Sequence, residues 1–143
     1  MRQRHYSFVL VLLLFSFFTP RFLLAEDLVG LKNLSWEEQK DKTRIVLETT
    51  KPLQYNVTAS QANSEVQVEL VNLDLRNLPQ ELFINTPEVV SLQTFPQAAG
   101  QKSRIVVKLT SFRPHEVSAD GNKLYIDIEN GNSPSEVASG TEQ

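Results

Sequence analysis

The amino-acid sequence predicts an all-β protein, a two-layer β-sandwich of two related four-stranded sheets, on three observations. The first is an internal duplication. The segment Lys42–Thr50 (KTRIVLETT) returns sixty positions later as Lys102–Thr110 (KSRIVVKLT), and the same offset aligns Val57 with Val117 and Ala59 with Ala119. Seven of the nineteen columns from 42/102 to 60/120 are identical, where unrelated sequence gives about one. With the offset reduced to 58, Glu65–Leu70 lies over Lys123–Ile128. The second observation is period-two alternation of apolar and polar residues in each repeated run, the pattern of strands with one buried and one wet face. The third is the copy number. Two copies cannot bury a continuous core as an open array, so the related halves must close on each other.

Taken in order, the chain begins with a segment that reads as a secretory signal over residues 1–25. Arg2, Arg4 and His5 form a basic start, an apolar run from Phe8 to Phe18 is broken only by Ser16, and Ala25 is a small residue before Glu26. A membrane anchor needs about 20 apolar residues, and Arg21 blocks extension of this run. With no cysteine to carry a lipid and no adjacent arginine pair, the expected route is general secretion, signal cleavage and a periplasmic location without a membrane span. Strands are then predicted for Leu28 to Trp36, followed by a charged turn over Glu37 to Lys42, and for Arg44 to Thr49. Pro52 separates these from Tyr55 to Ala59. The cleanest alternation follows, with Val66, Val68 and Leu70 set against Glu65, Gln67 and Glu69.

Residues 72–87 hold two prolines and irregularly spaced apolar groups, which predicts a crossover with at most one helical turn. Its Leu73, Leu75, Leu78, Leu82, Phe83 and Ile84 are too many apolar side chains for a solvated linker and are expected to cap an open end of the core. Val89 to Phe95, Arg104 to Thr110, Phe112 to Ala119 and Lys123 to Glu129 then repeat the four strands. Asp120-Gly121-Asn122 forms a tight hairpin turn between the last two. From Asn130 to Gln143 the composition predicts a disordered tail, which leaves residues 26–129 as the single folded domain.

The repeat cores resemble a known family. Thr43-Arg44-Ile45-Val46-Leu47, Pro52, Tyr55-Asn56-Val57 and Val66-Gln67-Val68-Glu69-Leu70, with a second Arg104-Ile105-Val106-Val107 and a closing Leu124-Tyr125-Ile126-Asp127-Ile128, resemble the AMIN domain of bacterial envelope proteins. That family stands N-terminal to the catalytic part of N-acetylmuramoyl-L-alanine amidases and in type IV pilus secretins. The resemblance implies two symmetric facing sheets and a non-catalytic module that targets its host to peptidoglycan. The alternative reading is an adaptor that docks on a cell-envelope protein complex, whether secretin, pilus, division or amidase, by its sheet edges or its apolar crossover.

Composition narrows the chemistry. The absence of cysteine excludes thiol nucleophiles and thiolate metal sites. Without residues 1–25, eleven basic side chains face seventeen acidic ones, a net charge of −6, and scattered cations on an acidic protein argue against a nucleic-acid partner. His115 is the one histidine of the expected domain, so no zinc set can be completed and a structural role is expected. Gly-x-Ser-x-Gly and Ser-x-x-Lys are absent. Glu65, Glu69, Asp127 and Glu129 are expected on wet outer faces with ordinary acidity, so paired-carboxylate catalysis is not expected. Neither an enzyme nor a cofactor is predicted.

Binding must then use the outer faces. If Ile45 and Leu47 point inward, alternation turns Arg44 and Val46 outward, and likewise Arg104 and Val106 on the other sheet. Guanidinium groups suit muropeptide carboxylates, Asn56, Gln67 and Thr58 suit sugar hydroxyls and amides, and Tyr125 and Trp36 offer aromatic surface. Core packing is the competing role for Trp36. The candidate ligand-binding set is Arg44, Val46, Asn56, Gln67, Arg104, Val106 and Tyr125. The competing reading of the arginines is a cross-strand ion pair, such as Arg44 with Glu69, that recognises nothing. If both arginines bind, the protein is bivalent for one polymer through opposite faces.

Overall fold

A computed structural model describes residues 28–97 and 102–131. The expected signal peptide, and the expected tail from residue 132 on, lie outside the described residues. Among those described there are ten strands and no helix: β1 Val29–Glu38, β2 Lys42–Thr49, β3 Tyr55–Ser60, β4 Glu65–Val71, β5 Leu73–Asp74, β6 Glu81–Phe83, β7 Val89–Phe95, β8 Lys102–Leu109, β9 His115–Asp120 and β10 Lys123–Glu129.

The strands form two facing sheets with orders β5-β1-β2-β10-β9 and β3-β4-β8-β7-β6. The two-layer sandwich is as the alternation predicts, with a short fifth strand added to each sheet. Neither repeat makes a sheet by itself. Each gives one hairpin to each sheet, so that β2 of the first repeat pairs with β10 of the second, and β8 of the second with β4 of the first. Replacing β1, β2, β9 and β10 by their copies β7, β8, β3 and β4 turns one strand order into the other, which is a pseudo-two-fold relation.

The core lies between the two central pairs. Ile45 faces Ile126 and Leu47 faces Leu124 in the first sheet, while Ile105 faces Val68 and Val107 faces Val66 in the second. All eight are essentially inaccessible to solvent. Their branched side chains fill the interlayer space because Val and Ile suit a pleated, buried surface. The two-residue shortening of the second repeat falls in its hairpin loop. β3 and β4 are joined across Gln61 to Ser64, but β9 and β10 turn through Gly121 and Asn122 alone. Gly121 has φ of 56°, so glycine stands at the first central position of a two-residue turn, where positive φ is required.

The structure differs from expectation at two connections. Glu37 and Glu38 continue β1 rather than opening a turn, because β2 already begins at Lys42. The crossover, within the expected limit of one helical turn, carries none among the described residues, but it lays down β5 and β6, which the sequence reading did not include. It leaves β4 and approaches β7 through Asn72 and Asn85, both at φ of 56°, a conformation asparagine tolerates. Leu73, Leu75 and Ile84 enter the core and Leu78 and Leu82 pack on it, as expected of an apolar cap, but Phe83 points outward and is 63% exposed. The crossover is also pinned by equivalent residues of the two repeats. The hydroxyl of buried Thr43 donates to Glu88 Oε2 and accepts from the Thr86 hydroxyl, and buried Ser103 donates to the Leu73 carbonyl. Beyond β10, Asn130 bonds the Asp41 and Lys40 carbonyls.

Because Ile45 and Ile105 occupy equivalent central positions, each change to alanine should lower unfolding free energy by about 2–5 kcal/mol. The two losses should agree within about 1 kcal/mol in urea denaturation, with a single transition retained in both variants. A loss at only one site would mean that the two sheets are not energetically equivalent.

Candidate functional site

Alternation and register arrange the outer faces as cross-strand rows. On the first sheet, the rows are Asn33, Glu48, Lys123 and Asp120; then Ser35, Val46, Tyr125 and Ser118; then Glu37, Arg44, Asp127 and Glu116. On the second sheet, they are Phe83, Ser91, Lys108, Glu65 and Ser60; then Glu81, Gln93, Val106, Gln67 and Thr58; then Phe95, Arg104, Glu69 and Asn56. The expected ligand-binding residues therefore divide. Arg44, Val46 and Tyr125 share the first face, whereas Asn56, Gln67, Arg104 and Val106 share the second.

The duplicated arginines have unequal surroundings. Arg44 stands directly opposite Asp127 and holds it in a two-point fork, Nε to Oδ1 at 2.7 Å and Nη2 to Oδ2 at 2.8 Å. Lys42 adds a third bond to Oδ2 at 3.0 Å. The guanidinium also lies 4.8 Å from the centre of the Tyr125 ring, so that ring is partly covered from within. Arg44 thus makes the cross-strand ion pair of the competing reading, but with Asp127 rather than Glu69, which belongs to the other sheet. Nor is Asp127 a wet carboxylate of ordinary acidity, being 6% exposed. Burial pushes its carboxyl up, but hydrogen bonds from Arg44 and then Lys42, with their charges, outweigh this and hold it below the usual range. The same bond, acting against desolvation, raises Arg44.

Arg104 stands opposite Glu69 in register, yet turns away from it. Its guanidinium lies 4.5 Å from the centre of the Phe95 ring on the neighbouring strand, and Glu69 is instead approached by Lys102 at 3.5 Å. The Arg104 Nε is buried and bonds no acceptor. Register explains the contrast. The flanking partners of Arg44 are Glu37 and Asp127, both carboxylates, whereas those of Arg104 are Phe95 and Glu69. Arg104 keeps a half-buried cation with donor capacity unused, lying over an aromatic ring.

The rest of the second face is amide-rich and internally neutralised. Lys108 bonds Glu65 at 2.6 Å. This bond first, and then one from Gln67, hold the Glu65 carboxyl below its usual range against desolvation, so Glu65 too departs from the ordinary acidity expected of it. Val106 does not present an exposed apolar contact; it is 4% exposed and flanked within its own row by Gln67 and Gln93. Val46 on the first face is half-buried beside Tyr125, and Asn56 is exposed. Next to Arg104, a cavity of about 330 Å³ is lined by Gln80, Glu81, Gln93, Thr94, Phe95 and Pro96. Phe95 and Gln93 were not singled out from sequence, because their place beside Arg104 depends on the pairing of β7 with β8.

Two further residues stand apart from the rows of both outer faces. His115 makes a 3.2 Å bond through Nδ1 with the Arg113 carbonyl and an edge contact with Phe112. Trp36 has inward parity, paired with Ile45 on β2, but it is 38% exposed and lines a second cavity beside β1.

The AMIN domain family matches residues 33–128, from the middle of β1 to the penultimate residue of β10. The chain belongs to the AMIN domain family. AMIN domains are non-catalytic, peptidoglycan-binding modules of periplasmic proteins. The matched span takes in both sheets and both arginines of this AMIN domain. No curated protein matches the chain.

The lowered Asp127 and Glu65 carboxyls fix the sign of the pH dependence. Groups depressed in the folded state stabilise fully above their unfolded pKa, about 4, and lose that contribution as pH falls through the lower folded value. The urea midpoint should be flat from about pH 7 to pH 5 and fall below about pH 4. Asp127→Asn should lower stability at neutral pH by about 1–3 kcal/mol and flatten the acid limb. An unchanged acid limb in this variant would show that the Arg44 fork is not what sets it.

Proposed function

We propose that this protein is a periplasmic, non-catalytic module that binds peptidoglycan and holds cell-envelope machinery to it, and that it engages the polymer through the outer face of the second sheet. The observation that carries the reading is Arg104, half-buried on Phe95 with a buried Nε that has no acceptor. A guanidinium in this state gains more from an incoming carboxylate than a solvated one does. Its site is already partly desolvated, and its orientation is set by the ring beneath.

Peptidoglycan stem peptides offer carboxylates and amides, and its glycan strands offer hydroxyls. Gln93, Gln67, Asn56 and Thr58 lie within two strands of Arg104 on the same face, with side chains that donate and accept. Phe95 and the exposed Phe83 supply apolar surface for sugar rings. The first face suits an anionic polymer less well. Glu37, Glu48, Glu116, Asp120, Asp127 and Glu129 there outnumber Lys42, Arg44 and Lys123, and Lys42 and Arg44 are already paired with Asp127. The bivalence expected from two equivalent arginines is therefore replaced by one binding face per chain.

Co-sedimentation with insoluble sacculi tests this reading. Arg104→Ala should weaken retention by about 10- to 100-fold, the range of a lost charged hydrogen bond, with the circular dichroism spectrum unchanged. Arg44→Ala should retain sacculus binding but lose stability, because it leaves the buried Asp127 short of a partner. Parent-like retention of Arg104→Ala would move the binding surface elsewhere.

A further inference from the structure

The two lateral openings of the sandwich are not alike. Where β3 faces β9, Tyr55 donates across the gap to the Val117 carbonyl at 3.3 Å and closes it. On the opposite side, β7 is flanked by β6, but β1 is flanked by β5 only at Val29 and Gly30. From Leu31 to Glu38 the place of a fifth strand in the first sheet is vacant among the described residues, opposite β6. A cavity of about 340 Å³ lies there, lined by Leu31, Leu34, Trp36, Leu78 and Leu82 with polar groups of Lys32, Asn33, Asp74 and Asn77.

The open edge has a definite chemistry. Gln39 N–H bonds the Lys42 carbonyl, so antiparallel alternation directs the main-chain groups of Asn33, Ser35 and Glu37 to β2. Those of Leu34, Trp36 and Glu38 are turned to the open edge. Unpaired edge groups of this kind are a template for another strand. The β1 register shifts between Leu31 and Asn33, a bulge that limits regular pairing to the segment from Lys32 onward.

That segment is complementary to itself. A two-fold axis through Ser35, perpendicular to the sheet, lays β1 antiparallel against a second β1 and maps residues 32–38 onto themselves. It sets Leu34 against Trp36 of the other copy, and Lys32 against Glu38. Lys32 and Glu38 are exposed and make no ion pair within the described chain. Shifting the axis by one residue would instead oppose Lys32 to Trp36, or Leu34 to Glu38, and lose the match.

We propose that the β1 edge from Lys32 to Glu38 is a homodimer interface, in which two copies pair antiparallel about Ser35 and the Trp36 of each fills the cavity beside Leu34 of the other. The interface is isologous, so every contact occurs twice. It joins the two first sheets edge to edge and turns both second-sheet faces to the same side. If the polymer binds there, dimerisation supplies the avidity that one face per chain lacks. The dimer itself does not depend on wall binding.

The test uses protein recovered after expression of the full chain. Sedimentation velocity should show a concentration-dependent monomer–dimer equilibrium. The emission of Trp36, the one tryptophan in the chain, should shift to the blue over the same concentration range. Lys32→Glu and Glu38→Lys should each raise the dimer Kd at least about fivefold, since each places like charges opposite one another twice. The double variant K32E/E38K should return to within about twofold of the parent, because the pair is reversed rather than removed. Both positions are exposed, so folding is unaffected and dichroism checks it. A protein monomeric up to about 1 mM, or a dimer whose affinity the double variant does not restore, overturns the proposal.

Discussion

The molecule depends on two strand pairings, β2 with β10 and β4 with β8, each of which joins one repeat to the other. Neither repeat can complete a sheet, because the strand that covers its apolar edge comes from its copy. Ile45 needs Ile126 beside it, and Ile105 needs Val68. This interleaving explains why the crossover must be ordered. Only a chain led from β4 to β7 along the open side, and tied there by Thr43 and Ser103, brings the second repeat into register with the first. Many short non-local pairings in a small chain predict slow, cooperative folding rather than independent folding of halves.

Interleaving also governs how the outer faces diverged. A duplication places two arginines at equivalent sites, but each is flanked by one strand from its own repeat and one from the other. Four positions therefore decide the outcome. Glu37 and Asp127 enclose Arg44 with negative charge, and the short Asp127 side chain meets it in a two-point fork. Phe95 replaces Glu37 beside Arg104, and its ring draws the guanidinium away from Glu69. One copy thus became a structural ion pair linking the two repeats, while the other kept a half-buried guanidinium whose Nε has no acceptor.

The fold was legible because its determinants are local or repetitive. Period-two alternation marks β2, β4, β8 and β10 without knowledge of partners, and the duplication supplies the closed architecture. β5 and β6 were not legible, since two- and three-residue strands are created by the edges they meet rather than by their own pattern. The outward direction of Arg44 and Arg104 followed from parity, but their inequality did not. It depends on which residue stands opposite in a neighbouring strand, and sequence offset alone does not say that β2 pairs with β10. The same limit applies to Val106, which is buried between neighbours from two separate strands, Gln67 and Gln93. Trp36, for which core packing competed with surface stacking, is paired with Ile45 and turned inward, but the sandwich is open where it points.

The central claim is that recognition resides on one face, around the unsatisfied guanidinium of Arg104. Titration of isotopically labelled protein with soluble disaccharide-peptide fragments of the wall, followed by amide and arginine side-chain NMR, addresses it directly. The account predicts that the Arg104 Nε–H signal moves with the ligand, together with amides of β4, β7 and β8, while the Arg44 Nε–H signal stays fixed. Saturable shifts confined to β2 and β10, with Arg104 unperturbed, would contradict it.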